Sequence, residues 1–437
     1  MSETLGDAGS EVAPGYRRNF AAGIVHGVFF QVSTALGSIH TVLPAFVSLL
    51  TPSALAVGLM ASVQGIGGVV PQLFTAYLIE GRPRKKPLLL YVITLRWVSF
   101  GLLAYLTWTF GSTKPGLVLA VLLVTFSLFS VAGGAGTVLY ADVFSKAIPV
   151  RRRGRFTGWR QLLGYLAAIG AGWMVKVILE DVDRWPFPDN YAVIFLFSAV
   201  SLLVAFVGFA MIKEPEYPAH RISESMRHLL RRAVGLARNN PNFRRFLWAR
   251  GLTDVVLALA PFYIVYALNE RGIDLAMVGV YLSVQMAGAA LSNLVWGNLG
   301  DRIGNRAVVL GTAVTGLLTP AAALLVPLHP GFFLLVFASM GATISGVRLG
   351  YSNLILEMAD VELRPTCVAL QNTLLAPVTL LPLVVGGLVA VVSFPALFVA
   401  GVVLMGIALL LGVRIIDPRN DPSGECVEES TTMVPPV

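Results

Sequence analysis

Twelve apolar stretches, each long enough to cross the hydrocarbon core of a bilayer, constrain this chain more than any other feature. They cover residues 19–47, 54–79, 87–110, 116–143, 156–180, 190–212, 243–268, 274–299, 307–328, 331–357, 365–391 and 393–416. About 20 residues of helix span roughly 30 Å of hydrocarbon. Lipid offers backbone N–H and C=O groups no partners, so a spanning segment of this length must satisfy them internally as a helix. The expected fold class is therefore an all-α membrane protein with twelve transmembrane helices. Composition agrees: 56% of residues are hydrophobic and only 13% are charged, against about 25% charged in a soluble domain.

The net charge of +8 would suggest nucleic acid as partner in a soluble protein, but here the basic residues gather in short loops between the apolar stretches. With the first end placed inside, the inner segments hold 24 of the 32 Lys and Arg residues and the outer ones hold Lys114, Arg184 and Arg271. That asymmetry predicts both termini in the cytoplasm and an integral protein of a bacterial inner membrane. Residues 1–18 form a short cytoplasmic segment without the basic start and cleavage site of a signal peptide. Residues 213–242 place Ile222, Met226, Leu229 and Leu230 at helical spacing among five arginines. They are expected to lie as an amphipathic helix on anionic membrane lipid. Residues 417–437, acidic and proline-bearing, are expected to be a disordered tail.

The corner between the eighth and ninth stretches reads Gly297-Asn298-Leu299-Gly300-Asp301-Arg302-Ile303-Gly304-Asn305-Arg306. Glycine at 297 and 300 would allow close helix approach, and Gly304 would supply a turn. This run resembles the loop signature of the major facilitator superfamily, Gly-x-Leu-Gly-Asp-Arg-x-Gly-x-Arg, at every specified position. A weaker copy lies 221 residues earlier, where Glu80 stands for Asp301 and Ala61-Ser62-Val63-Gln64 aligns with Leu282-Ser283-Val284-Gln285. The resemblance implies two pseudo-symmetric six-helix bundles, here residues 19–212 and 243–416, that rock around a central cavity. It implies gating roles for Glu80, Gly297, Gly300, Asp301, Arg302, Gly304 and Arg306.

The repeat nominates cavity residues, because substrate sites in duplicated transporters lie near mid-membrane between the repeats. Asn19-Phe20 aligns with Asn242-Phe243 at an offset of 223, which pairs Gln31 with Asp254; at 221, Gln64 pairs with Gln285. All four fall about halfway along their stretches. A charge at mid-depth costs on the order of 3 kcal/mol on insertion scales. Arg250 and Asp254, four apart on one helix face, can pair with each other. Alternatively Asp254 takes up and releases a proton during transport, with His26 as a second proton-responsive group. Arg348 has no partner within its own turn; it can bind an anionic solute or pair with Asp254. Arg96, which the resemblance places peripherally, is expected to be structural. A third register, offset 211, aligns Arg153 with Arg364. It suggests inner-face ion pairs of Asp142 with the Arg151–Arg155 run and of Glu357 with Arg364, unless these charges only set topology.

No phosphate-binding loop, His-Glu-x-x-His pair or Gly-x-Ser-x-Gly turn is present, and Cys367 and Cys426 form no metal-ligand cluster. The chain is therefore expected not to be an enzyme and to use no cofactor or metal. The expected function is secondary transport of a small, anionic or amphipathic solute by a monomer. Two alternatives remain open: a multidrug or metabolite exporter driven by proton antiport, and a non-transporting assembly factor or sensor on the same bundle.

Overall fold

The computed structural model describes residues 15–79, 84–215, 240–359 and 364–420. Glu80, the amphipathic stretch expected at 216–239, the first fourteen residues and the acidic tail beyond residue 420 lie outside the described residues. Twelve helical spans among the described residues are long and apolar enough to cross a membrane. In chain order the helices are α1 (Tyr16–Leu36), α2 (Val42–Leu50), α3 (Ala54–Ile79), α4 (Lys86–Phe110), α5 (Pro115–Ala147), α6 (Val150–Glu180) and α7 (Asp189–Ala210). They continue with α8 (Pro241–Leu257), α9 (Ala260–Val265), α10 (Met277–Arg302), α11 (Asn305–Leu325), α12 (Phe332–Gly346), α13 (Ser352–Met358), α14 (Arg364–Leu375), α15 (Leu381–Leu388) and α16 (Phe394–Val413).

Four spans depart from a single smooth helix. The first apolar stretch, expected as one helix to residue 47, stops at Gly37, whose N–H bonds to Ser33 O at 2.9 Å, and resumes as α2. A Cβ at Gly37 would meet the Phe100 ring at 2.5 Å, so the break also lets two helices touch. In the seventh span α8 gives way to α9 beside Pro261, and a π turn, Tyr266–Glu270, closes it. The tenth span carries a π turn at Val347–Tyr351 between α12 and α13. The eleventh tightens into a 3-10 turn, Ala376–Leu380, that contains Pro377 and is followed by Pro382. Proline removes a backbone hydrogen bond and tolerates such turns only where neighbours re-satisfy the freed groups. Pro71 and Pro320, by contrast, sit inside continuous helices.

In the first half α1 packs on α6 and α7, α3 on α5, and α4 on α5 and α7. In the second, α10 and α11 pack on α12, and α16 packs on α11 and α8. The halves repeat at the level of single bonds. The Asn19 side chain donates to Lys213 O at 3.0 Å and accepts from Lys213 N at 2.9 Å. Asn242 does the same with Ile416, at 3.0 and 2.8 Å. In each half one amide thus ties the start of the first span to the end of the last.

Two seams join the halves, α3 against α15 and α6 against α10. Each uses the same parts, 221 residues apart. The Leu383 N–H donates to Ser62 Oγ at 3.0 Å, and Ser283 Oγ donates to Ile169 O at 2.9 Å. A Cβ at Gly58 would collide with Pro382 O, and one at Gly279 with Lys176 N. The Gly58 and Gly279 contacts lie at the starts of α3 and α10, at the end of the molecule remote from the basic loops, called here the far end. A core of buried aromatic side chains, including Phe46, Tyr191, Phe195, Tyr266, Phe333 and Phe398, fills both halves at that end.

Candidate functional site

Between the halves lies a cavity of about 420 Å³, within the 300–1,000 Å³ of small-molecule sites. Helical spacing explains which side chains reach it. Gln31 and Thr34 come from one stripe of α1, Gln64, Gly68 and Gln72 from one stripe of α3, and Gln285 and Ala289 from α10. Three of the four residues nominated by the repeat, Gln31, Gln64 and Gln285, therefore line one hollow. Gln285 is 2% exposed and its Oε1 has no hydrogen-bond partner. At the far end the hollow is capped by Ser38, Ile39 and His40 from the break after α1.

Two guanidinium groups line the cavity, one from each half. Arg348 sits in the π turn of the tenth span, a helix form that often marks functional positions. It forms no ion pair with Asp254. Arg96 of α4 was expected to be structural, in a place the resemblance makes peripheral; the structure corrects the place, since Arg96 lines the cavity with its Cζ 4.0 Å from the centre of the Phe129 ring and 4.7 Å from that of Phe30. Its Nε has no partner. Each ring contact is worth about 0.5–2 kcal/mol, enough together to offset much of the roughly 3 kcal/mol that a mid-membrane cation costs. Among the described lining residues there is no Asp or Glu to balance the two cations. The sequence signal for Arg96 was the general excess of membrane-embedded arginine over carboxylate; nothing in the repeat points to it.

Asp254 and Arg250 are not among the lining residues. Arg250 Nε donates to Asp254 Oδ2 at 2.8 Å, Arg250 Nη1 reaches Val347 O at 3.4 Å, and the guanidinium lies over the Tyr351 ring. Four-residue spacing made this pair available without any partner helix, and it satisfies both charges locally. His26 is also off the cavity. It is 5% exposed, its Nδ1 is 3.0 Å from Ala205 O, and rings of Phe30, Tyr140 and Phe209 surround it. Its surroundings are those of a packing residue.

At the basic end the ion pairs differ from those expected. Asp142 meets Lys85 at 2.8 Å and Lys146, one turn along its own helix, at 2.6 Å, rather than the arginine run. Arg153 instead donates to the carbonyls of Ser145 and Ile148. Glu357 accepts from Asn305 at 2.7 Å and from Arg419 Nε at 2.8 Å rather than from Arg364. Arg364 caps the carbonyls of Leu356 and Ala359. In both cases the arginine finds free helix-end carbonyls closer to hand than the carboxylate. Within the signature loop Gly304 adopts φ 115°, a left-handed conformation suited to glycine. Gly300 lies against Asn305, whereas among the described residues nothing lies within 4 Å of where a Cβ at Gly297 would stand. Asp301 and Arg302 are exposed, and Arg306 donates to Val413 O at 2.6 Å.

Residues 255–432 match the family model of the Major Facilitator Superfamily. Beyond those residues the likeness is one of fold, shared with solved transporters over most of the chain. It superposes on a crystal structure of the nucleoside transporter NupG (D323A mutant) with a TM-score of 0.67 at 14% identity, over 91% of this chain and 99% of that one. For a D-xylose–proton symporter the TM-score is 0.63 at 14% identity, over 92% and 96%. For a bacterial homologue of the iron transporter ferroportin in its inward-facing state it is 0.60 at 13%, over 93% and 99%. Uncharacterized proteins of Mycobacterium tuberculosis and Mycobacterium bovis are 23% identical over 314 residues. That match covers 71% of this chain but only 58% of theirs. The twelve apolar spans make this an integral membrane protein, and the family model matches its second half.

Proposed function

We propose that this chain carries a small organic anion across the membrane by alternating access. In this reading residues 19–212 and 243–416 move as two bundles joined by 213–242, and the basic end faces the cytoplasm. The far-end seams, held by Ser62–Leu383 and Ser283–Ile169, then serve as the gate on the side away from the cytoplasm. The observation that carries the reading is a polar hollow at the junction of the halves, with Arg348 in its wall and no carboxylate among the described lining residues. A non-transporting relative would have no use for such a space and would fill it with bulky side chains, because an uncompensated cation in a membrane core is costly. The arginine supplies a planar donor fork for carboxylate or phosphate; the three glutamines supply neutral donors and acceptors that let the solute leave again.

The test is uptake and counterflow of radiolabelled organic anions by the purified protein in proteoliposomes. Arg348→Glu is expected to reduce anion flux at least tenfold while the protein stays monodisperse. Unchanged flux in that variant would remove Arg348 from the site, and flux of neutral solutes alone would remove the anion.

A further inference from the structure

We propose that the cavity is a two-point receptor, in which Arg96 of the first half and Arg348 of the second grip the two negative ends of a single organic dianion. This rests on the transporter reading above and specifies its cargo. Both guanidinium groups line the same hollow, and among the described lining residues neither faces a carboxylate. Arginine keeps its proton, so the cavity carries two formal positive charges, Arg96 half-buried and Arg348 exposed within it, that an anionic ligand would neutralise. A monoanion would leave one of them unpaired. Arg96 is held ready to bind. Clamped over Phe30 and Phe129, it loses little freedom when a ligand arrives. The body of the ligand falls among Gln64, Gln285 and the apolar wall, which suits a short carbon or aryl spacer rather than an inorganic ion.

The placement of the arginines has a mechanical consequence. Because they belong to opposite halves, a ligand held at both ends ties the two bundles together, and the loaded carrier crosses with its cavity charge cancelled. Emptied, the same cavity must reorient with two bare cations. Flux of the dianion is therefore expected to run as exchange, faster when the opposite compartment also holds the dianion.

The experiment uses the full chain, purified and reconstituted, with an arginine-selective dicarbonyl reagent and mass-spectrometric readout of Arg96 and Arg348 separately. The probes at pH 8 and constant ionic strength are succinate and phthalate, their half-amides as monoanions, and their neutral diamides. Succinate or phthalate is expected to slow modification of both arginines at least tenfold, the half-amides to protect one at most, and the diamides neither. In Arg96→Gln the residual protection of Arg348 by the dianion is expected to fall to that given by the monoanion, with Arg96→Lys restoring part of it. The proposal is overturned if dianions protect Arg348 while Arg96 reacts at an unchanged rate, or if the half-amides protect both as well as dianions do. It is also overturned if neither dianion protects either residue. Protection of both arginines by the diamides would overturn the dianion while leaving a solute-binding transporter. Protection of both arginines by the dianions with no movement of any of these anions by the reconstituted protein would instead remove the transporter reading itself.

Discussion

Arg250 and Asp254 illustrate how a membrane interior disciplines single residues. Their pair, with side chains only 17% and 22% exposed, sits away from the cavity, and the bond of 2.8 Å answers both charges at once. Breaking a buried pair from one side costs roughly 3 kcal/mol because the survivor is left uncompensated. Asp254→Asn and Arg250→Gln are each expected to lower the thermal midpoint, and the double variant to recover most of the loss; additive losses would show that the residues do not act as a pair. Spacing alone made this pair legible in the sequence, as it did the line of Gln31, Gln64 and Gln285 through the repeat. Arg96 was not legible. What keeps it in the cavity is two phenylalanine rings from α1 and α5, and a contact of that kind depends on how three helices meet.

At the scale of the element, the glycines of the seams decide which helices can touch. Gly58 and Gly279 each face backbone atoms of the opposite half at distances that leave no space for a Cβ. Overpacking of this kind typically costs about 1–3 kcal/mol, here charged only to the state in which the far end is closed. Gly58→Ala or Gly279→Ala is thus expected to favour far-end opening by roughly one to two orders of magnitude. The measurement is the labelling rate of a cysteine at His40 by a membrane-impermeant thiol reagent added from the far side; an unchanged rate would show that the seam tolerates the methyl group. The twelve spans themselves were readable from apolar length, and the prolines at 261, 377 and 382 do accompany helix breaks. The break after α1 was not foreseen, because Gly37 in an apolar run looks like any other membrane glycine. Nor were the π turn around Arg348 and the true partners of Asp142 and Glu357, which are fixed by where loop ends return in space.

At the scale of the whole molecule, duplication organises everything described. The twin asparagine clasps at Asn19 and Asn242, the twin serines at Ser62 and Ser283, and the twin seam glycines place equivalent parts on either side of one hollow. In the proposed reading the two bodies, in contact along two seams, part at one end as they meet at the other. The repeat in the sequence pointed to three of the residues that line the hollow, Gln31, Gln64 and Gln285. It could not announce which end is closed, since that is a property of one packed arrangement and not of the residue pattern.

The most direct measurement is therefore flux with the far-end seam fastened. Cysteines at Ser62 and Leu383, in a background where Cys367 and Cys426 are replaced by alanine and serine, are to be bridged by a short, reducible thiol cross-linker in proteoliposomes. The account predicts that transport stops on cross-linking and returns on reduction, while the cavity stays open to reagents from the basic side throughout. Transport continuing at its full rate with the seam covalently closed would contradict it.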